Sequence, residues 1–130
     1  MPIVKIELPA GKTAEYKKAV LDGIHQALVE AFNIPDYDRN QRIYEVTPAN
    51  REIPSDKTAD NILIEITAFQ GRSIAAKRNL YKHIVDELAS RVGIKGDDVT
   101  IVLHEVPLEN WGVRGGKPAS EVDIGFKVKV

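Results

Sequence analysis

The sequence contains no cysteine, which excludes disulfide bonds, a thiolate nucleophile and zinc sites with cysteine ligands. It also lacks an excess of either charge, because 18 basic residues stand against 19 acidic ones, and no basic cluster predicts nucleic-acid binding. The histidines, His25, His83 and His104, share no metal-ligand spacing. Residues 112–116 lack the Gly-Lys-Ser/Thr ending of a nucleotide-binding loop. We therefore expect no metal and no other cofactor.

Long apolar runs are missing as well. No stretch approaches the roughly 18 apolar residues that a membrane-spanning helix requires. Residues 1–7 alternate between apolar and charged side chains, unlike the apolar centre of a secretory signal. We therefore expect a cytoplasmic protein that does not enter a membrane. The 130 residues, 43% of them hydrophobic, suffice for one domain with its own core.

The sequence repeats itself at a fixed offset of 60 residues, without a gap. Identical residues occur at Ile6 and Ile66, Gly11 and Gly71, Lys17 and Lys77, Ile24 and Ile84, Leu28 and Leu88, Ile34 and Ile94, Asp38 and Asp98, Glu45 and Glu105, Val46 and Val106, and Asn50 and Asn110. Chance does not readily supply so many identities at one offset, so a duplicated unit is indicated. We expect a single domain over 1–130, with pseudo-repeats at about 2–50 and 62–110 and a C-terminal tail at 111–130.

Each copy has the pattern of a strand, a helix and a second strand. Segments rich in β-branched residues predict first strands at 3–8 and 62–68 and second strands at 42–46 and 99–106. Between them, apolar residues recur at helical spacing. Each copy therefore predicts one β-α-β unit.

The predicted helices carry start and stop signals. Thr13 and Ser73 are residue types that cap the N-terminus of a helix, and each precedes the apolar helical pattern. Pro35 and Gly93 follow that pattern and are expected to end the helices.

Together these elements predict an α+β fold. A β-α-β unit normally makes a right-handed crossover between parallel strands, so the duplicated units would form a four-stranded sheet with two helices on one face. The other face would be bare and apolar, and other subunits would cover it. Glycines after Asn110 and an alternating segment at about 122–130 predict a C-terminal strand or hairpin that suits an edge or a subunit contact.

Several short motifs, spread over nearly the whole chain, resemble one known family. The chain begins Met1-Pro2 before a strand, continues with Ala31-Phe32-Asn33-Ile34-Pro35 and Asp38-Arg39-Asn40-Gln41, and later contains Gly71-Arg72-Ser73 with Lys77, Asp97-Asp98-Val99 and Asn110-Trp111-Gly112-Val113-Arg114-Gly115. Within a duplicated chain, these residues resemble the tautomerase superfamily, and most closely its malonate semialdehyde decarboxylase-like branch. The resemblance implies a homotrimer with active sites near subunit boundaries and a small oxo or enol acid as substrate.

The candidate catalytic residues are Pro2, Asp38 and Arg72. Removal of Met1 would make the nitrogen of Pro2 a free secondary amine, and an α-amino group titrates at about 7.7–8.0, where it can act as an acid or a base. Arg72 lies at a predicted helix start, which suits a substrate carboxylate. Asp38 resembles the acidic residue of the family that works with the amine, although alone it is also typical of a turn.

Three further residues are candidates for substrate binding. Trp111 is the only tryptophan, and it either lines the pocket or fills the core beneath an irregular loop. Gln70 occupies the place of the first of two arginines that the decarboxylases carry as Arg-x-Arg, so only Arg72 of that pair is present. Arg114 either assists in binding an anion or faces solvent.

Three functions remain open on these residues. The first is decarboxylation, in which Arg72 grips a carboxylate and protonated Pro2 stabilises the developing enolate. The second is tautomerisation of an enol acid, such as phenylenolpyruvate, by neutral Pro2. The third is a non-catalytic trimeric interaction protein that keeps the fold.

Overall fold

Two strand–helix–strand units follow one another along the chain, as the repeat predicts. The computed structural model describes residues 2–130. The first unit consists of β1 (Ile3–Pro9), α1 (Ala14–Phe32) and β2 (Gln41–Val46), and the second of β3 (Ile62–Phe69), α2 (Ile74–Val92) and β4 (Val99–Val106). Two short strands, β5 (Gly112–Val113) and β6 (Lys117–Pro118), form a hairpin in the C-terminal tail. The predicted β-α-β duplication is therefore confirmed.

Both helices begin at the predicted caps. The hydroxyls of Thr13 and Ser73 each accept a hydrogen bond of 3.1 Å from a backbone N–H three residues later. At the other end α1 stops at Phe32, before the expected Pro35, because Asn33 adopts the left-handed conformation with φ of 53°. Gly93 ends α2 in the same conformation, with φ of 72°.

The sheet has the strand order β2-β1-β3-β4. Strands of one unit are parallel, and the two units meet through the antiparallel pair β1 and β3. Alternate residues of the central strands pack beneath the helices, and the most deeply buried are Val4, Ile6, Leu8, Ile62, Ile64 and Ile66, with Val20, Ile24, Leu28, Leu80, Ile84 and Leu88 from the helices. Each buried aliphatic side chain of this kind contributes about 1.5–3 kcal/mol to the free energy of unfolding. This layer therefore holds the helices against the sheet and gives the loops at its ends a fixed support.

The sheet face opposite the helices differs from the expectation of an apolar surface. One row across it consists of Arg42, Lys5, Glu65 and Val102, which lie side by side on the four strands. Nε2 of His104 lies 3.7 Å from a carboxylate oxygen of Glu65 on the same face. Since strands alternate their faces, the charged residues of β1 and β3 point here and make the surface mixed.

The last nine residues do not form the strand predicted at 122–130. Apolar and polar residues do alternate, with the apolar ones half-buried, but a strand also needs a neighbouring strand to pair with. The segment crosses the end of the sheet instead, and the backbone N–H of Ser73 donates to the carbonyl of Val130 at 2.9 Å. Within residues 2–130, neither helix is long and apolar enough to span a membrane.

Candidate active site

The topology brings three of the predicted site residues to one end of the sheet. Pro2 is buried immediately before β1, whose first residue, Ile3, pairs with Thr67 near the end of β3. The loop that carries Asp38 leads into β2 beside the same end of β1, and Arg72 follows β3. We call this end of the sheet the Pro2 end.

A pocket of about 210 Å³ opens at the Pro2 end. Its lining residues are Pro35, Tyr37, Asp38, Phe69, Val113, Arg114, Val122, Ile124 and Phe126. The wall is thus largely apolar and aromatic, and its charged side chains are those of Asp38 and Arg114. Pro2 and Arg72 lie at the same end of the sheet but are not among the lining residues. Pockets with an apolar wall and few charged groups are the usual form of a small-molecule site.

Arg72 is a buried cation with unused hydrogen-bond donors. Its residue surface is only 6% exposed, Nη1 donates to the carbonyl of Phe69 at 2.9 Å, and the guanidinium carbon lies 4.8 Å from the ring centroid of Phe32. Within residues 2–130, Nε and Nη2 make no hydrogen bond. Burial lowers the pKa of Arg72, while the carboxylates of Glu105 and Asp38 raise it, but a guanidinium stays charged in a protein.

Asp38 lies in the loop between α1 and β2, where its carboxylate lines the pocket. Its backbone N–H donates to the carbonyl of Pro35 at 3.0 Å, so a tight turn fixes its direction. The residue is half-buried and its Oδ2 is shielded from solvent. Because its charge acts on Arg72, a carboxylate and a guanidinium share this end of the sheet.

The three expected substrate-binding residues occupy different positions. Trp111 packs edge-to-face on Phe69, with ring centroids 4.7 Å apart, and its Nε1 donates to the carbonyl of Val106 at 3.2 Å. It therefore supports a residue that lines the pocket. Arg114 is exposed and lines the pocket itself, with φ of 47° in the hairpin turn. Gln70, two residues before Arg72, is exposed.

Several lining residues were not foreseen from the sequence. Tyr37 lines the mouth of the pocket and is 82% exposed, but nothing in the sequence distinguishes it from another loop residue. Val122, Ile124 and Phe126 supply one wall. The alternation of apolar and polar residues in this segment predicted a strand. In the structure the segment is not a strand, and its apolar side chains line the pocket.

Metal-ligating residues do not gather at this site. Within residues 2–130, no group of three or more histidine, aspartate or glutamate side chains could hold a metal ion. His83 lies instead beside Glu30, at 3.3 Å between a ring nitrogen and a carboxylate oxygen. What the Pro2 end offers chemically is a guanidinium, a carboxylate and the N-terminal segment of β1.

Solved structures share this fold. The chain is 27% identical to malonate semialdehyde decarboxylase in a crystal structure described as a basis for decarboxylase and hydratase activities, with a TM-score of 0.81 over 89% of this chain and 93% of that one. A fused 4-OT that forms a symmetric trimer superposes with a TM-score of 0.81 at 23% identity, over 91% of this chain and 96% of that one. The second likeness shows the fold alone.

Sequence comparisons agree with the structural ones. Two family models, both described as tautomerase enzyme, match residues 38–114 and 2–53. The probable tautomerase YusQ of Bacillus subtilis (strain 168) is 30% identical over 122 residues, which cover 90% of this chain and 96% of that protein. A shared fold, matched family models and a full-length relative lead to one conclusion: the chain belongs to the tautomerase superfamily.

Proposed function

We propose that the protein tautomerises a small enol or oxo carboxylic acid, with the amine of Pro2 as the proton carrier. The observation that carries the proposal is Arg72, whose Nε and Nη2 are buried without a hydrogen-bond partner within residues 2–130. A buried cation with unused donors is unfavourable in the free protein. A bound carboxylate relieves that penalty, so the site favours an anionic substrate.

The free edge of the guanidinium matches a carboxylate. Nη1 of Arg72 donates to the carbonyl of Phe69. The remaining Nε–H and Nη2–H bonds run parallel along one edge of the planar group. Two parallel donors bind the two oxygens of a carboxylate at once, which fixes the orientation of the substrate as well as its position.

Pro2 supplies the proton transfer in this mechanism. As a neutral secondary amine, its nitrogen accepts the proton of the enol hydroxyl and returns a proton to the adjacent carbon. One O–H bond breaks, one C–H bond forms, and the amine is regenerated. The carboxylate of Asp38 stabilises the ammonium that exists between the two transfers. The mechanism requires removal of Met1, which lies outside the described residues.

The pocket wall favours a substrate with an apolar substituent. Phe69, Ile124 and Phe126 line a space of about 210 Å³, which is larger than a three-carbon oxo acid fills. Gln70 is neutral where the decarboxylases carry an arginine, so that position provides no second cation for the substrate carboxylate. An enol acid with an aromatic or branched side chain satisfies both features.

Decarboxylation of an oxo acid is the second candidate, and the structural likeness to malonate semialdehyde decarboxylase favours it. Here Arg72 turns the carboxylate out of conjugation, and protonated Pro2 donates a hydrogen bond to the carbonyl oxygen. The carbon–carbon bond breaks, CO₂ leaves, and the enolate takes a proton. In the covalent variant, Pro2 first forms a Schiff base with the aldehyde and releases water.

A homotrimer completes the proposal, with its subunits in contact through the mixed sheet face. Apolar Val102 and exposed Tyr44 lie on that face with the row of Arg42, Lys5 and Glu65, so a partner can bury apolar area and pair charges. Light scattering at micromolar concentration tests this arrangement, and a stable monomer would contradict it. A trimer without catalysis is the remaining alternative.

A substrate screen with two variants tests the proposed chemistry. Proton NMR follows phenylenolpyruvate, 2-hydroxymuconate and malonate semialdehyde with the wild type and with Pro2→Ala, after intact mass has established that Met1 is absent. We expect ketonisation by the wild type and a loss of about 100-fold or more for Pro2→Ala, since acid–base groups contribute roughly 10²–10⁴-fold. Active protein that retains Met1, or equal rates for the two proteins, would exclude the mechanism.

A further inference from the structure

A buried histidine contacts the loop that carries Asp38. His25 lies on α1 and is 4% exposed. Its Nε2 is 3.4 Å from Oδ1 of Asp36, which lies two residues before Asp38 in the same loop. Within residues 2–130, this Nε2 makes no hydrogen bond, so the 3.4 Å approach of the Asp36 carboxylate is its polar contact. A buried ring nitrogen needs a polar neighbour, and the carboxylate of Asp36 is that neighbour for His25.

The second copy shows what the fold requires at the same two positions. Sixty residues later, His25 corresponds to Val85 and Asp36 to Gly96. A Cβ atom at Gly96 would lie only 3.3 Å from Cγ1 of Val85, so the second copy closes helix and loop by a tight apolar contact. The fold therefore needs no polar group there. The polar pair occurs only in the copy whose loop lines the pocket.

We propose that His25 is a positioning residue that acts through Asp36 to hold Tyr37 and Asp38 at the pocket. The proposal rests on the proposed function, which assigns the chemical role to Asp38. The Asp36 side chain is 94% exposed, so water competes for its oxygens and the contact adds little to stability. Its effect is directional: it limits how far the turn at 35–38 can rotate away from α1.

Other contacts also hold the same loop, among them the hydrogen bond from the backbone N–H of Asp38 to the carbonyl of Pro35. Arg39 donates to the carboxylate of Asp22 at 2.8 Å in an exposed pair. The backbone N–H of Arg39 also donates to the carbonyl of Tyr37 at 2.9 Å. These contacts keep the loop folded when His25 is replaced. Loss of the histidine should therefore misplace Asp38 without unfolding the loop.

The second copy supplies the variants for a test. His25→Val, Asp36→Gly and the double variant give the first copy the pair found in the second, and His25→Gln keeps a donor near the position of Nε2. We expect His25→Val and the double variant to lower kcat for the best enol acid of the screen by roughly 3- to 10-fold, because one polar contact between α1 and the loop is lost. KM should stay within about twofold, because Arg72 still binds the carboxylate. His25→Gln should recover most of the lost rate.

A matched control and a readout independent of activity complete the experiment. His83→Gln removes a half-buried histidine from α2, away from the loop at 33–40, and should leave kcat unchanged. Amide exchange across 33–40 should be faster in His25→Val than in the wild type and near normal in His25→Gln. Unchanged exchange and kcat in His25→Val, or a loss that His25→Gln does not recover, would overturn the positioning role. An inactive wild type with the expected exchange pattern would instead reject the proposed function alone.

Discussion

The two ends of the sheet carry equivalent residues of the duplicated unit in different surroundings. At the opposite end, Nζ of Lys12 lies 2.9 Å from the carboxylate of Asp60 and 4.9 Å from the ring centroid of Tyr16. Asp98 accepts hydrogen bonds of 2.8 and 2.5 Å from the backbone and side chain of Thr58. Every charge in this set has a partner within the chain.

At the Pro2 end, the same positions hold Arg72 and Asp38. Arg72 corresponds to Lys12, yet it is buried with two nitrogens that make no hydrogen bond within residues 2–130. Asp38 corresponds to Asp98, yet its carboxylate lines a pocket. The pair Lys17–Glu45 and its equivalent Lys77–Glu105 are kept at both ends. One unit thus occurs twice: once with these charges paired to Asp60 and Thr58, and once with a buried guanidinium and a carboxylate that lines a pocket.

The largest expected difference separates Arg72 from Lys12. Arg72→Ala removes a charge-assisted bidentate contact, so kcat/KM should fall by roughly 30- to 1000-fold, or about 2–4 kcal/mol. Lys12→Ala removes an exposed ion pair and should change kcat/KM by less than about twofold. Steady-state kinetics with an enol acid measures both.

A folding control accompanies this pair of variants. Arg72 also stacks on Phe32, so Arg72→Ala needs a circular dichroism spectrum and a melting curve beside its kinetics. Arg72→Lys keeps the charge but not the planar fork, and it should recover only part of the activity. Similar losses for Arg72→Ala and Lys12→Ala would mean that the two ends are not functionally different.

The repeat made the architecture predictable. Its fixed offset aligned the caps Thr13 and Ser73 and both helical patterns, so the parallel pairs of a four-stranded sheet and the helix starts followed from general rules. The family resemblance then pointed to Pro2, Asp38 and Arg72, which the fold brings to one end of the sheet. Caps and apolar patterns within single segments were sufficient to predict the fold, because the structure that each segment favours agrees with the structure that the neighbouring segments favour.

What escaped prediction depends on contacts distant in sequence. The pattern at 122–130 is that of a strand, but whether an extended segment pairs depends on a neighbouring edge, which the pattern does not encode. Likewise, nothing local separates Lys12 from Arg72. Their difference arises because Asp60 lies within reach of Lys12, while the guanidinium of Arg72 packs on the ring of Phe32.

The next comparison, between Asp98 and Asp38, should separate stability from activity. Hydrogen bonds from Thr58 lower the pKa of Asp98, so Asp98→Asn should cost about 2 kcal/mol in the free energy of unfolding at neutral pH. Since the folded pKa lies below the unfolded value of about 3.9, the cost should shrink as pH falls below about 4. Urea unfolding at several pH values measures this.

Asp38→Asn should show the opposite behaviour. Its free energy of unfolding should stay within about 0.5 kcal/mol of the wild type, while kcat falls by roughly 10- to 100-fold because the ammonium of Pro2 loses its counter-charge. A stability loss equal to that of Asp98→Asn, with kcat unchanged, would place Asp38 in the same structural role as its equivalent.

The smallest expected effect concerns how the first copy holds its loop. Hydrogen bonds from Lys18 and Arg39 lower the pKa of Asp22 to about 2, and only the Arg39 contact reaches the loop at 33–40. Because this pair is partly exposed, Asp22→Asn should cost less than about 1 kcal/mol. The contribution is present above the unfolded pKa of about 3.9 and is lost as pH falls towards 2.

Asp86→Asn is the matched control, since Asp86 pairs with Lys82 at 3.0 Å within α2 and anchors no loop. Both variants remove an ion pair four residues apart on a helix, so 0.5 M salt should weaken both effects alike. Only Asp22→Asn should also speed amide exchange at 33–40. If both variants leave that exchange unchanged, Arg39 does not anchor the loop, and the contact of His25 with Asp36 becomes its principal side-chain attachment to α1.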